Sequence, residues 1–409
     1  MQEFKKVLGN KNYFLLWLGQ AISEVGTDVC HIGLIWLVIG TTGSATSVSL
    51  LFVMLIMPSI VFGPWAGVLV DKWNKKKVIV VTDITRGLIA LAMALSIDNL
   101  SYLYLLAFAD FVLYAFFSPA IKTAIPRLVA RENLMTANSL YMITRQGAGL
   151  IGPAVGGALI GLFGVQILFF LNGVSFLLSA ALEMGIRMPV SGYETLDMPL
   201  RIKEKFKEGL DYIKQRRVVI FVIIFFAIAT IPMGGLAVLN VVLFREVFNY
   251  TAEQYGLLMS MKGAGLILGS IFMGKWGKNI LEIKAIVTAS FFMGLFYMAL
   301  ALSGQLFFSV LFFSLAGFFG SMIGVAYYTF LQKIVDENVR GRVFSIDIAI
   351  GNVLGLLAMA AVGPLADNFN PALIYAVGGL ILVALGLGTN FLKVYAGLIE
   401  EYREALRAG

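Results

Sequence analysis

Apolar runs of about 20 residues recur twelve times along this chain, and nothing else in the sequence restricts its fold so strongly. They fall near 13–39, 48–70, 78–97, 101–121, 137–163, 165–186, 218–244, 255–276, 285–302, 306–331, 343–365 and 371–392. Each is long enough to cross roughly 30 Å of hydrocarbon as an α-helix. Barrel strands would be about half as long and would alternate polar with apolar residues, which these runs do not. Composition agrees: 59% of the 409 residues are hydrophobic and 13% are charged, against about 25% charged in soluble domains. The expectation is an all-α membrane protein with 12 transmembrane helices.

The basic residues set an orientation. With a cytoplasmic N-terminus, the inner segments hold 27 of the 31 lysines and arginines, and the outer loops hold only Arg245. That asymmetry predicts N- and C-termini both in the cytoplasm and a multi-pass protein of the cytoplasmic (inner) membrane. The same clustering assigns the net charge of +7 to topology rather than to nucleic acid. The polar, basic start, Met1–Lys11, does not resemble a cleavable signal peptide. The lone cysteine, Cys30, excludes an intrachain disulfide.

The longest connection follows span 6 and divides the chain. Residues 1–187 are expected to form an N-terminal six-helix bundle and 218–394 a C-terminal one, with a cytoplasmic linker at 188–217 and a tail at 395–409. Within the linker, residues 202–213 carry apolar positions at helical spacing with charges between them, as in an amphipathic helix lying on the membrane. The tail has a similar pattern. The halves also echo each other: Asp71-Lys72-Trp73-Asn74-Lys75 after span 2 matches Gly274-Lys275-Trp276-Gly277-Lys278 after span 8, and Arg127-Leu128-Val129 matches Lys333-Ile334-Val335. Repeats of this kind build a site near the bilayer midplane, which makes the fold two pseudo-symmetric bundles.

Two stretches carry a family likeness. Gly67-Val68-Leu69-Val70-Asp71-Lys72-Trp73-Asn74-Lys75-Lys76-Lys77 resembles the loop 2–3 signature of the major facilitator superfamily, G-x-x-x-D-[RK]-x-x-[RK]-[RK]. Gly152-Pro153-Ala154-Val155-Gly156-Gly157 resembles its antiporter signature, with Ala148 replacing the first glycine. Phe117-Ser118-Pro119-Ala120, Ala137-Asn138-Ser139 and Gly341-Arg342-Val343-Phe344-Ser345 are similar to the macrolide-efflux and enterobactin-exporter branch of drug:proton antiporters. The resemblance implies the major facilitator fold, alternating access and a gate. Gly67, Asp71, Lys72 and Lys75 would act in that gate with Arg342 and Asp347, and Gly152, Pro153 and Gly156 would act through close helix packing. Asp71 would latch the cytoplasmic side by meeting the N-terminal end of span 11, where a carboxylate gains from the helix dipole.

Charges inside the spans point to chemistry. Glu24 and Asp28 lie one turn apart on span 1, and His31 continues their face. Asp110 lies on span 4, Arg145 on span 5 and Lys262 on span 8. Each such charge costs about 2.5–3.5 kcal/mol at the bilayer centre unless relieved. Three acids against one arginine cannot all stay ionised in a low dielectric, so at least one is expected to hold an exchangeable proton. Glu24, Asp28 and Asp110 are the predicted proton-coupling residues, with Arg145 as their counter-charge. The alternative is an Asp110–Arg145 pair that only joins spans 4 and 5. Tyr114 and Phe117, near the Asp110 face, would add aromatic walls suited to an amphipathic cargo. Glu24, Asp28, His31, Asp110, Tyr114, Phe117, Arg145 and Lys262 are thus the predicted substrate-binding set. Asp83, Arg86 and Glu183 fall near cytoplasmic ends and are expected in inner gate networks or at headgroups.

Proton-coupled efflux of an amphipathic drug, macrolide or siderophore-like compound by a monomer in the lipid bilayer is the leading reading. Two alternatives remain. One is a divalent metal-ion exporter using Glu24, Asp28, His31 and Asp110; the other is a solute or lipid importer. No resident metal, cofactor or nucleic-acid partner is expected. No G-x-x-x-x-G-K-[ST] loop is present, so neither nucleotide drive nor an enzyme is expected.

Overall fold

The structure, a computed structural model, describes residues 2–188, 202–277 and 280–391, together with 397 and 400. After a short α1 (Gln2–Leu8), six long helices follow: α2 (Lys11–Thr42), α3 (Ala45–Lys72), α4 (Lys75–Leu95), α5 (Leu100–Leu128), α6 (Leu134–Phe163) and α7 (Gln166–Met184). A polar helix α8 (Ile202–Gln215) precedes six more: α9 (Arg217–Val242), α10 (Ala252–Trp276), α11 (Glu282–Ser303), α12 (Leu306–Ile334), α13 (Glu337–Asn368) and α14 (Pro371–Phe391). Eleven of these are long and apolar enough to cross a membrane, and the apolar stretch Pro371–Leu387 of α14 supplies a twelfth, shorter by the described residues. Spans 1–6 are therefore α2–α7, and spans 7–12 are α9–α14.

Local chemistry sets the helix ends. The Asn10 side chain accepts from the N–H groups of Asn12 and Tyr13 at the start of α2, and Asn74 accepts from that of Lys77 at the start of α4. Gly43 closes α2 in the left-handed region, at φ 60°. In the loop 2–3 motif the chain therefore leaves α3 at Lys72 and is recapped two residues later.

The chain divides into two compact units. Unit 1 holds Met1–Gly43, Leu50–Leu196 and Tyr250–Ser260. In it α2 packs on α6 and α7, and α4 packs on α5 and α7. Tyr13, Leu16, Phe117 and Ile121 are among the residues of its apolar core.

Unit 2 holds Ser44–Ser49, Asp197–Asn249 and Met261–Gly409. In it α11 packs on α12 and α14, and α9 packs on α13 and α14. The first turn of α3 belongs to this unit. Asp367, near the end of α13, accepts from the Ser44 hydroxyl at 2.7 Å and from the N–H groups of Ala45 and Thr46 at 2.6 and 3.1 Å. A carboxylate thus satisfies orphan donors at a helix N-terminus.

Helix α8 forms where the linker pattern predicts it, but its described side chains dock on unit 2 instead of facing only a membrane surface. Glu208 pairs with Arg342. The Tyr212 hydroxyl donates to the Ile334 carbonyl at 3.2 Å and accepts from the Asp336 N–H at 3.0 Å. Burial there pushes the Tyr212 phenol above its ordinary value. The reason is that the α12–α13 junction leaves carbonyl and N–H groups that Tyr212 can satisfy. The expected tail helix falls almost wholly outside the described residues.

Candidate functional site

Helix α2 carries the acidic face. Glu24, Asp28 and His31 recur at helical spacing and line one cavity, together with Arg86 of α4, Tyr114 of α5 and Arg145 of α6. The cavity holds about 460 Å³ and lies wholly within unit 1. That volume is in the range of sites for small organic ligands. Close packing of α6 on α2 fixes where Asp28 sits. A Cβ on Gly152 would fall 2.6 Å from the Asp28 Cβ, and one on Gly156 would fall 3.2 Å from the Val29 carbonyl oxygen. The glycines of the antiporter-like motif thus let α6 lie directly against the acidic turn of α2. Pro153, between them, is buried within a continuous α6.

The acids divide into two environments. Glu24 is half-buried beside the Tyr141 hydroxyl. Asp28 is half-buried one turn along, and Arg145 is the nearby cation for both. Asp110 is held differently. Arg86 Nε donates to Asp110 Oδ1 at 2.9 Å and Arg86 Nη2 donates to Oδ2 at 3.1 Å. This is the planar two-bond geometry that guanidinium and carboxylate favour. The Arg86 guanidinium also lies 4.3 Å from the Phe176 ring centroid and 5.3 Å from that of Tyr114, so aromatic faces add to its stabilisation.

This arrangement corrects several expectations. The counter-charge of Asp110 is Arg86 and not Arg145, whose Nη2 instead donates to the Tyr114 hydroxyl at 3.1 Å. Arg86 is not near a headgroup: it is 3% exposed. It is the twelfth residue of the 21-residue α4, roughly 17 Å along the axis at 1.5 Å per residue, which is the midpoint. Its position in the run gave that depth away. Asp83 and Glu183 are fully buried, Glu183 in the last turn of α7, as an inner network near the cytoplasmic ends would have them. Phe117 does not line the cavity. It keeps to the Asp110 face of α5 but lies two turns, roughly 10 Å, further along the axis, where it is 3% exposed in the apolar core beside Arg86. Lys262 belongs to unit 2, where its ammonium sits 4.8 Å from the Phe313 ring centroid.

The metal-ion alternative needs Glu24, Asp28, His31 and Asp110 to converge. Among the described residues no three His, Cys, Asp or Glu side chains do so. His31 stacks on Phe111 with centroids 5.4 Å apart, and Asp110 is occupied by Arg86. Phe111 and Tyr141 were not singled out in the sequence. Phe111 is adjacent to Asp110, and Tyr141 lies four residues before Arg145 on α6, so proximity to the intramembrane charges was the available signal.

The predicted gate residues are dispersed. Gly67 ends in open space on α3, Lys72 is exposed and Lys75 is buried. The Asp71 side chain lies outside the described residues. In unit 2, Arg342 is paired with Glu208, and Asp347 accepts a hydrogen bond from the Tyr327 hydroxyl. Asp347 is 5% exposed, so it is part of the packed interior of unit 2.

Comparison with known proteins supplies the family. The chain is 21% identical over 395 residues to Macrolide efflux protein A of Streptococcus pyogenes, covering 92% of this chain and 94% of that protein. It is 26% identical over 360 residues to the Enterobactin exporter EntS of Salmonella typhi, covering 83% and 81%. Its fold matches the crystal structure of a bacterial homologue of the human lysosomal transporter Spinster with a TM-score of 0.71 at 16% identity, over 99% of this chain and 97% of that one. The model of the Major Facilitator Superfamily matches residues 16–353. With eleven described helices long and apolar enough to cross a membrane, a twelfth shorter apolar one and an acid-lined cavity among the helices of unit 1, the chain is a transporter-type protein that belongs to the Major Facilitator Superfamily.

Proposed function

We propose that this protein exports an amphipathic organic compound across the cytoplasmic membrane in exchange for protons, by alternating access. The observation that carries the reading is the cavity itself. Two half-buried acids, Glu24 and Asp28, share one nearby cation, Arg145, whereas Asp110 is already neutralised by Arg86. Two carboxylates that share a single cation in a low dielectric favour binding one proton or one cationic group. Proton and cargo then compete for the same oxygens, so arrival of one expels the other. Tyr114, Phe111 and His31 offer flat, largely apolar faces beside the acids, which suits an amphipathic cargo. Relatives named as exporters of a macrolide and of enterobactin support the direction and the class of cargo. The lysine and arginine asymmetry supports N- and C-termini in the cytoplasm.

The proton-exchange assignment rests on Glu24 and Asp28, with Asp110 and Arg86 as a fixed pair that shapes one wall. In inverted membrane vesicles, an imposed pH gradient is expected to drive uptake of ethidium or erythromycin. Glu24→Gln and Asp28→Asn are each expected to lower gradient-driven uptake at least tenfold while the protein stays folded in the membrane. Uptake that is equally fast without a gradient, or unchanged in both variants, would contradict the proposal.

A further inference from the structure

Unit 1 contains a second polar group that lines no part of the cavity. Asp83 on α4 and Glu183 on α7 are both 0% exposed, with Ser179 of α7 at 0% and Gln20 of α2 at 1%. Gln20 Nε2 donates to Glu183 Oε1 at 2.9 Å. The two carboxyls face each other and the Ser179 hydroxyl. Yet Asp83 Oδ1 and Oδ2, Glu183 Oε2, Gln20 Oε1 and Ser179 Oγ all lack a hydrogen-bond partner. Buried oxygens are nearly always paired, and an unpaired one costs much of its lost hydration. Four of these, on three helices, are acceptors short of a donor, while the Ser179 hydroxyl carries a hydrogen of its own.

The charges agree. Arg86 on α4 and Asp110 on α5 are the charged groups that face the pair, while α2 and α7 contribute the neutral Gln20 and Ser179. Arg86 is bound through two bonds to Asp110, so of three carboxyls in this region it balances one. The Lys76 ammonium, near the end of α7, donates to the Met184 carbonyl at 2.7 Å. Asp83 and Glu183, if both ionised, would set two like charges against each other in a dry interior where, among the described residues, the facing cation Arg86 is already bound to Asp110. One proton removes that repulsion and makes one acid a donor to the other. A metal ion would need more: among the described residues there is no third acid, histidine or cysteine in the group.

We propose that Asp83 and Glu183 form an occluded proton-binding site in which a single proton is shared between the two carboxyls, with Ser179 and Gln20 orienting them. The site sits where α2, α4 and α7 pack together, so water reaches the proton only when that junction opens. Occupancy and close packing of the three helices are then linked. The site shares no carboxyl with the cavity and holds whether or not Glu24 and Asp28 exchange protons with cargo.

Infrared difference spectroscopy on the purified full chain at neutral pH tests it. The wild type is expected to show a protonated-carboxyl C=O stretch that shifts slowly after transfer to D2O. Asp83→Asn and Glu183→Gln are each expected to abolish this slow band, because the new amide N–H replaces the proton as donor and leaves the remaining acid ionised. The Glu24→Gln/Asp28→Asn variant is expected to keep it. A slow band of unchanged intensity in Asp83→Asn or Glu183→Gln would overturn the proposal, as would its loss in the cavity variant. Should neither pair variant fold, a wild type without any slowly exchanging protonated carboxyl overturns it directly.

Discussion

Arg86 lies halfway along α4 with its guanidinium committed to both oxygens of Asp110, and only 4% and 14% of the two side chains remain exposed. In so dry a place, removing one partner leaves an uncompensated charge, which costs about 3–5 kcal/mol, whereas replacing both with apolar groups of similar volume is often close to neutral. Asp110→Asn and Arg86→Met are each expected to lower the thermal unfolding midpoint clearly, and the Arg86→Met/Asp110→Leu double variant to recover much of that loss. Additive losses in the double variant would mean the pair does not act as a unit. The sequence announced that charges lay inside the spans, because lysine, arginine and acid are conspicuous in apolar runs. It did not announce their partners. Arg86 and Arg145 both lie within a few dozen residues of Asp110 in chain order, and only the packing of α4 on α5 shows that Arg86 is the one that meets it.

Among the elements, α6 shows how a small-residue stripe serves a site. Its Gly152 meets the Cβ of Asp28, so the acid's place depends on the absence of a side chain on the neighbouring helix. Gly147, on the same helix, faces open space. Gly152→Ala must push α2 and α6 apart, an overpacking that costs about 1–3 kcal/mol. Gly147→Ala is expected to be neutral or slightly stabilising, since alanine favours the helix by about 0.5–1 kcal/mol. Thermal unfolding of the two variants checks the contrast; equal midpoints would place the α2–α6 contact elsewhere. Helix lengths and most helix ends were legible from apolar runs and from caps such as Asn10 and Asn74, because hydrocarbon thickness and orphan N–H groups act locally. The docking of α8 on unit 2 was not legible. An amphipathic pattern records that one face is buried and not what buries it.

At the scale of the whole molecule, the repeat and the long central connection led to an expected division at 188–217, and the structure separates into two compact units. The boundaries of the units did not follow from either feature. Ser44–Ser49 joins unit 2 through Asp367, and Tyr250–Ser260 joins unit 1, although each belongs by sequence to the other half. Contacts between residues more than 300 positions apart leave no trace in local pattern. The site followed the same division. Glu24, Asp28 and His31 could be read from one helix face, while Arg86, Phe111 and the withdrawal of Phe117 required the packed helices. The central claim is that Glu24 and Asp28 give up protons to cargo. Its most direct test is proton release on binding, measured with a pH indicator in weakly buffered, detergent-solubilised protein as ethidium is added. The wild type is expected to release protons in step with dye binding, and the Glu24→Gln/Asp28→Asn variant to release none. Binding without release in the wild type, or equal release from the variant, would contradict the account.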